Sequence, residues 1–314
     1  DTITITVTLS EAVDVTGTPT LTLGTGNDAT YTSGSGSDTL TFTYTVQDGD
    51  TTSDLDYNAT GSLSGTLKDT ALNNATLTLV TPGASGSLAA NKALVLDTTA
   101  PTITNVTATT DDGSYKAGDT ITITVSLSEA VDVTGEPTLT LGTGNDATYT
   151  SGSGTNELTF TYTVQAGDTT SDLDYNATGS LSGTLKDTAL NDATLTLVTP
   201  GEAGSLAANK ALVLDTTAPT ITNVTATTAD GSYKKDDTIT ITVSLSEAVD
   251  VTGTPTLTLG TGNDATYTSG SGSDTLTFTY TVQDGDSASK LDYNATGSLS
   301  VSYTHLTLPT SDLV

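Results

Sequence analysis

Apolar and polar residues alternate along most of this chain with a period of two. In the segment 119–128, for example, aliphatic side chains occupy every second position and threonine or serine occupies the positions between them. This alternation is typical of a β-strand that buries one face and leaves the other in water. In the central part of the chain it predicts no helix, but it predicts strands at 101–109, 119–128, 137–142, 147–152, 157–165, 193–198 and 210–215.

The inward positions of these strands predict a core of aliphatic side chains with a few aromatic ones. Tyr44, Tyr162 and Tyr280 are in register with phenylalanine and valine, so we expect them in the core. Tyr115 and Tyr233 lie in a "DGSYK" turn, where partial exposure is expected. About seven short strands with one apolar face favour an all-β fold, namely a two-sheet sandwich.

The pattern itself recurs every 118 residues. The string "DTITIT" begins at Asp1, Asp119 and Asp237. A unit of this length has the size of a domain and exceeds that of a solenoid repeat. We therefore expect three units: repeat 1 (1–98, without its first strand), repeat 2 (99–216, complete) and repeat 3 (217–300, without its C-terminal strands).

A proline-bearing segment, "LDTTAPT", connects successive repeats. We name residues 97–101 the first joint and residues 215–219 the second joint. Pro101 and Pro219 each fix one backbone angle and favour an extended residue before them, so both joints are predicted to be short and stiff. Each repeat is then expected to close its own hydrophobic core.

The last segment, 301–314, departs from the repeat and is interpreted as a non-native tail. Residues 301–310, "VSYTHLTLPT", resemble a translated sequencing adapter, which indicates a fragment from metagenomic sequencing. His305, the one histidine, lies in this segment, so we expect it to have no function. The tail alternates, and Tyr303–Leu308 could still form a strand. At the other end the chain opens directly in a strand pattern, so we expect the native N-terminus to lie upstream.

Charge excludes some functions and favours one kind of ligand. The net charge is −29, with eight basic residues against 37 acidic ones, a balance that argues against binding nucleic acid. No run of about 18 apolar residues occurs, so no membrane insertion is expected. Acidic loops do suit divalent cations, calcium above all, because calcium binds through oxygen.

Several strings resemble the bacterial immunoglobulin-like repeats of large secreted surface proteins and adhesins. They are "SLSEAVDVTG.PTLTLGTG", "LTFTYTVQAGDTTSDLDY", "LKDTALND" and "LVLDTTAPTITNV", and the resemblance covers residues 1–300. It implies tandem immunoglobulin-like β-sandwich domains that form a non-enzymatic stalk on the bacterial cell surface or outside the cell. Such a stalk contacts neighbouring repeats of its own chain and reaches a host or surface ligand through other domains. Where that family usually has "AGN", this chain has "ALN" at 189–191, which puts a tight glycine turn in doubt.

The resemblance also implies structural calcium at the joints between domains. The candidate ligands are eight acids in or beside the two joints, although these aspartates could equally cap turns and keep the surface soluble. They are Asp97, Asp111, Asp112 and Asp119 at the first joint, and Asp215, Asp230, Asp236 and Asp237 at the second.

Two further readings remain open. A carbohydrate- or protein-binding module, or an accessory spacer of a secreted enzyme, would have a similar sequence.

The acidic loop with Asp168, Asp172 and Asp174 could suggest the carboxylate pair of a glycosidase. We expect only a loop that leads into a strand, since no histidine, cysteine or arginine accompanies it.

Overall fold

The computed structural model describes residues 1–305, with side chains for residues 1–300. It has a β-sandwich-like all-β architecture built mainly from antiparallel sheets, which confirms the predicted fold class at that level. Threonine favours this extended backbone because it branches at Cβ, and the aliphatic residues that alternate with it form the buried face.

Repeat 2 shows the arrangement most fully. The long strand β8 pairs with β6 and β10 through its N-terminal half and with β9 and β12 through its C-terminal half. A smaller sheet has the order β11-β13-β7, in which β13 and β7 are parallel. The elements are β6 (Ile103–Ala108), β7 (Gly113–Tyr115), β8 (Thr120–Thr140), β9 (Asp146–Ser151), β10 (Thr155–Thr163), β11 (Thr169–Thr170), β12 (Leu181–Lys186), α2 (Leu206–Asn209) and β13 (Leu212–Asp215).

Repeat 1 repeats this plan with fewer strands among its described residues. Its sheet has the order β2-β3-β4-β1-β5, and β1 takes the place that β8 has in repeat 2. Its elements are β1 (Thr2–Thr16), β2 (Thr20–Thr22), β3 (Asp28–Ser33), β4 (Ser37–Thr45), β5 (Thr66–Lys68) and α1 (Leu88–Asn91).

Repeat 3 is built around a second long strand, β15, which pairs with β14, β16, β17 and β18. β18 includes the first five residues of the tail, and it pairs Thr304 with Asp250 as β12 pairs Lys186 with Asp132. The predicted tail strand is therefore present as far as His305, and residues 306–308 lie outside the described residues. The elements are β14 (Ile221–Ala226), β15 (Thr238–Thr258), β16 (Asp264–Ser269), β17 (Ser273–Thr281) and β18 (Leu299–His305).

Buried apolar residues form three separate clusters, one inside each repeat. The predicted core tyrosines are buried: Tyr44 is 1% exposed, and Tyr162 and Tyr280 are 2% exposed. Phe160 is fully buried, and its ring meets that of Tyr149 edge to face at 5.9 Å. Fully burying one such side chain contributes about 1.5–3 kcal/mol to stability before the entropy cost is counted.

Several local predictions were wrong. Residues 193–198 form no strand, because their backbone bonds to separate segments and not to one neighbouring strand: the Ala193 N–H donates to the Leu185 carbonyl of β12, and the Leu197 N–H donates to the Thr178 carbonyl. The predicted strands 119–128 and 137–142 are parts of the single strand β8, while β7, β11 and β12 were not predicted. The two four-residue helices were not predicted either; the Ser87 and Ser205 side chains cap their first turns, since each accepts a hydrogen bond from the helix backbone.

Candidate metal centre at the first joint

The first joint is held on both sides. On the repeat 1 side, the Thr98 hydroxyl donates to the Asp50 carbonyl at 3.1 Å and accepts from the Gly49 N–H at 3.0 Å. On the repeat 2 side, the buried Pro101 carbonyl accepts from the Thr194 N–H at 2.8 Å. These bonds fix the backbone direction of the joint where it leaves one repeat and enters the next.

Three carboxylates converge beside this joint. Asp97, Glu129 and Asp187 each offer an oxygen atom, and the three oxygens lie within 4.8 Å of one another. Asp97 lies at the end of repeat 1, one residue before its last, Glu129 belongs to β8, and Asp187 follows β12. Asp187 is only 2% exposed, and the other two are half-buried. The group therefore combines one acid from repeat 1 with two acids from repeat 2.

Asn191 orients two members of this group. Its backbone N–H donates to Asp187 Oδ1 at 2.8 Å, and its side-chain Nδ2 donates to Asp187 Oδ2 at 2.7 Å. The same Nδ2 donates to the backbone carbonyl of Asp97 at 3.0 Å. A single amide thus positions the buried carboxylate and also links the two repeats.

The negative charges in this group repel one another. Burial raises the pKa of Glu129 above its ordinary value, and the negative charges of Asp97 and Asp187 raise it further. The ion pairs found between described residues involve other acids, so lysine does not neutralise the group there. A bound cation would relieve this repulsion and favour the ionised form of Glu129.

The donor set fits a hard cation. All three side chains offer oxygen, and calcium takes six to eight oxygen ligands from carboxylates, carbonyls and water. Three carboxylates can supply up to about six of these oxygens, although the Asn191 amide engages both oxygens of Asp187. Backbone carbonyls or water would complete the coordination.

The structure brings one predicted ligand of the first joint, Asp97, into the group and places the other three elsewhere. Asp119 forms an ion pair with Lys116 at 3.2 Å, and hydrogen bonds from Lys116 lower its pKa. Asp112 lies 3.8 Å from Lys210. Asp111 is exposed, and its backbone carbonyl accepts from the Tyr115 hydroxyl at 2.6 Å.

The predicted ligands of the second joint do not form a comparable group of three acids within the described side chains. Asp215 accepts a hydrogen bond from the Thr217 N–H at 2.9 Å, and Asp237 accepts one from the Lys234 N–H at 2.9 Å. Asp230 and Asp236 are exposed. One repeat step beyond Asp187, at position 305, the sequence has a histidine.

Sequence reasoning missed Glu129 and Asp187, because it searched only the acids near the joints. Both acids recur in repeat 1 as Glu11 and Asp69, and Asn73 donates to Asp69 at 2.8 Å just as Asn191 does to Asp187. Recurrence does not distinguish them, however, because nearly all residues of repeat 1 recur in repeat 2.

The first acid in the acidic loop of repeat 2, Asp168, has a structural role. Asp168 is 6% exposed, and its carboxylate accepts hydrogen bonds from the Tyr162 hydroxyl, the Gln165 N–H and the Asn145 side chain. The same network recurs in repeat 1 around Asp50. These contacts satisfy a buried carboxylate and fix the turn that receives the joint threonine.

Comparison with known proteins found no matching family model and no matching curated protein. Among the described residues, none of the helices has the length and apolar character needed to cross a membrane.

Proposed function

We propose that this chain is a non-enzymatic stalk of tandem immunoglobulin-like domains. It belongs to a large bacterial adhesin that lies on the cell surface or is secreted, and it holds a separate binding domain away from the cell. The observation that carries this proposal is the first joint, where a segment of a few residues is hydrogen-bonded to both repeats. Such a connection limits bending between domains, as a spacer requires.

The three separate apolar clusters support the same function. Each repeat has its own cluster, so the repeats can follow one another in line without sharing a core. A strand of nine residues spans about 30 Å, so three units in line would extend roughly 100 Å. The net charge of −29 would also keep neighbouring stalks apart.

We further propose that calcium occupies the group formed by Asp97, Glu129 and Asp187. An ion held by acids from both repeats would stiffen the first joint, because bending there would separate its ligands. The all-oxygen donor set and the crowding of negative charge support a hard divalent cation over a transition metal.

The experiment uses the fragment 1–216, which contains the first joint. Calcium is expected to raise its melting temperature and to lengthen the particle in small-angle X-ray scattering. A ligand present at 100 times its Kd stabilises a protein by about 2.7 kcal/mol. Asp187→Asn should abolish both effects of calcium, whereas Asp69→Asn, the matched change in repeat 1, should preserve them.

Two outcomes would count against these proposals separately. If calcium changes neither the melting temperature nor the particle length, calcium has no part in the joint. If the fragment bends freely in scattering with or without calcium, the stalk itself is wrong.

A further inference from the structure

The first and last segments of repeat 2 are bonded directly to one another. β7 and β13 form a parallel pair with Ser114 opposite Val213, and it is the one parallel pairing between strands that the described residues contain. β11 pairs with the other edge of β13, so β13 is the central strand of its sheet. The side chains of Leu212 and Leu214 are fully buried, which anchors β13 in the core.

Polar contacts reinforce the upstream end of this pair. The Gly113 N–H donates to the Ala211 carbonyl at 3.0 Å, and the Ala211 N–H donates to Asp112 Oδ1 at 3.1 Å. The Lys210 ammonium lies 3.8 Å from the same Asp112 oxygen. Asp112 therefore joins two neighbouring residues of the C-terminal segment to the start of β7.

β6 is bonded to the same C-terminal part of the repeat. The Val106 N–H donates to the Gly204 carbonyl at 2.9 Å, and Asn209 Nδ2 donates to the Val106 carbonyl at 2.8 Å. We name residues 106–115 and 204–215, with the bonds between them, the terminal clasp. The terminal clasp ties the two ends of repeat 2 together.

The direction of the strands decides how the terminal clasp responds when the chain is extended. Repeat 2 connects to repeat 1 upstream of β6 and to repeat 3 downstream of β13. Because β7 and β13 run parallel, the upstream end of β7 and the downstream end of β13 lie at opposite ends of the pair. Drawing the neighbouring repeats apart therefore slides one strand along the other, so the bonds between them must break together and not one after another.

We infer that the terminal clasp is a shear lock that sets how strongly repeat 2 resists extension. While the lock holds, residues 116–203 lie between its two halves and are shielded from tension, so the core of the repeat stays folded. The need for such a lock rests on the proposed stalk function. Resistance to extension is measured independently of bending at the joints, so the lock and the stalk can fail separately.

The test is extension of the full 314-residue chain between optical tweezers, with one handle on each end. A double variant, Ser114→Cys with Val213→Cys, identifies the event that belongs to repeat 2, because the chain has no cysteine of its own and these two residues are in register. Once oxidised, the disulfide should shorten one event by about 320–350 Å, the extended length of the chain between the two cysteines. A reductant should restore that length. If the thiols are consumed and no event shortens, β7 and β13 are not paired and the lock is wrong.

Asp112→Ala should speed the repeat 2 event by about three- to tenfold at constant force, because its contacts with Ala211 and Lys210 are lost. Asp111→Ala is the matched control. Asp111 is exposed, and the backbone carbonyl through which it accepts from Tyr115 remains in the variant. Its rate should equal that of the unsubstituted chain.

Tyr175→Phe separates the lock from ordinary stability. It removes the hydrogen bond to the Val198 carbonyl, which lies outside the terminal clasp. It should lower the stability measured in urea but leave the rate under tension nearly unchanged. Equal rates under tension for Asp112→Ala and Asp111→Ala, or an effect of Tyr175→Phe as large as that of Asp112→Ala, would overturn the shear lock.

Discussion

The side-chain amide of Asn191 donates a 3.0 Å hydrogen bond to the backbone carbonyl of Asp97, so one side chain of repeat 2 holds the last residues of repeat 1. The same nitrogen donates to the buried Asp187. Asn191 therefore fixes both the position of the backbone at the first joint and the orientation of the buried carboxylate beside it.

Replacement of Asn191 by alanine should loosen the first joint. Loss of its side-chain hydrogen bond to the charged Asp187 should cost about 1.5–3 kcal/mol, while the bond from its backbone N–H to Asp187 remains. Asn73→Ala is the matched control, because Asn73 makes the same contacts to Asp69 but lies away from the joint. Hydrogen exchange at residues 98–102 should speed up in Asn191→Ala alone. Equal exchange in the two variants would show that the bond to Asp97 contributes nothing.

Leu190→Gly should stabilise repeat 2. Leu190 has a φ of 72° and a side chain that is 71% exposed, so it bears the strain of a left-handed backbone and gains little from burial. That conformation costs a residue with a Cβ roughly 1–2 kcal/mol relative to glycine. Thermal unfolding should show a higher melting temperature for Leu190→Gly and little change for Leu190→Ala, which keeps the Cβ. A lower melting temperature for the glycine variant would contradict the strain.

The stability of the calcium-free protein should fall as pH rises through the range in which Glu129 ionises. The pKa of Glu129 is raised from its ordinary value of 4.5, so between that value and the raised one the folded state binds more protons than the unfolded state. Stability is then lost as the pH rises through this window. Glu129→Gln should flatten this part of the curve when urea unfolding is measured as a function of pH. In the unsubstituted protein, calcium should reverse the slope of stability against pH. If Glu129→Gln keeps the calcium-free slope of the unsubstituted protein, Glu129 is excluded as the source of that slope.

Repeat 3 should be the least stable of the three. Tyr293 is 43% exposed, whereas its counterpart Tyr175 is 1% exposed and donates to the Val198 carbonyl at 2.6 Å. Tyr175→Phe should cost about 0.5–1.5 kcal/mol for the lost hydrogen bond. Tyr293→Phe should be nearly neutral. Hydrogen exchange should be fastest in residues 217–300, and slower exchange there than in repeat 2 would refute the ranking.

The alternating pattern predicted much of the fold because period-two burial is a local property. It failed at residues 193–198, where Leu197 is buried but the backbone bonds to a loop. It also failed at "SLAAN", because a helix of one turn has too few residues to show a period. Tertiary contacts decide the backbone at residues 193–198, whereas at "SLAAN" a local serine cap does.

The candidate site was predicted only in part for a similar reason. Asp97 was identified because it lies in the joint itself. Glu129 and Asp187 are distant in sequence, and the pairing of β8 with β12 brings them together. Their proximity depends on strand pairing over about 58 residues of sequence, which no local pattern encodes.

The hydrogen bonds formed where the backbone enters repeat 2 determine how a pulling force along the chain would be distributed among them. The Thr102 N–H donates to the Ser128 hydroxyl, and the Thr102 carbonyl accepts from the Ser128 N–H. The carbonyl of the preceding residue, Pro101, accepts from the Thr194 N–H. Ser128 belongs to the long strand β8, and Thr194 belongs to a separate loop segment. A force applied along the chain would therefore act on several bonds at once, and rupture would require them to break together.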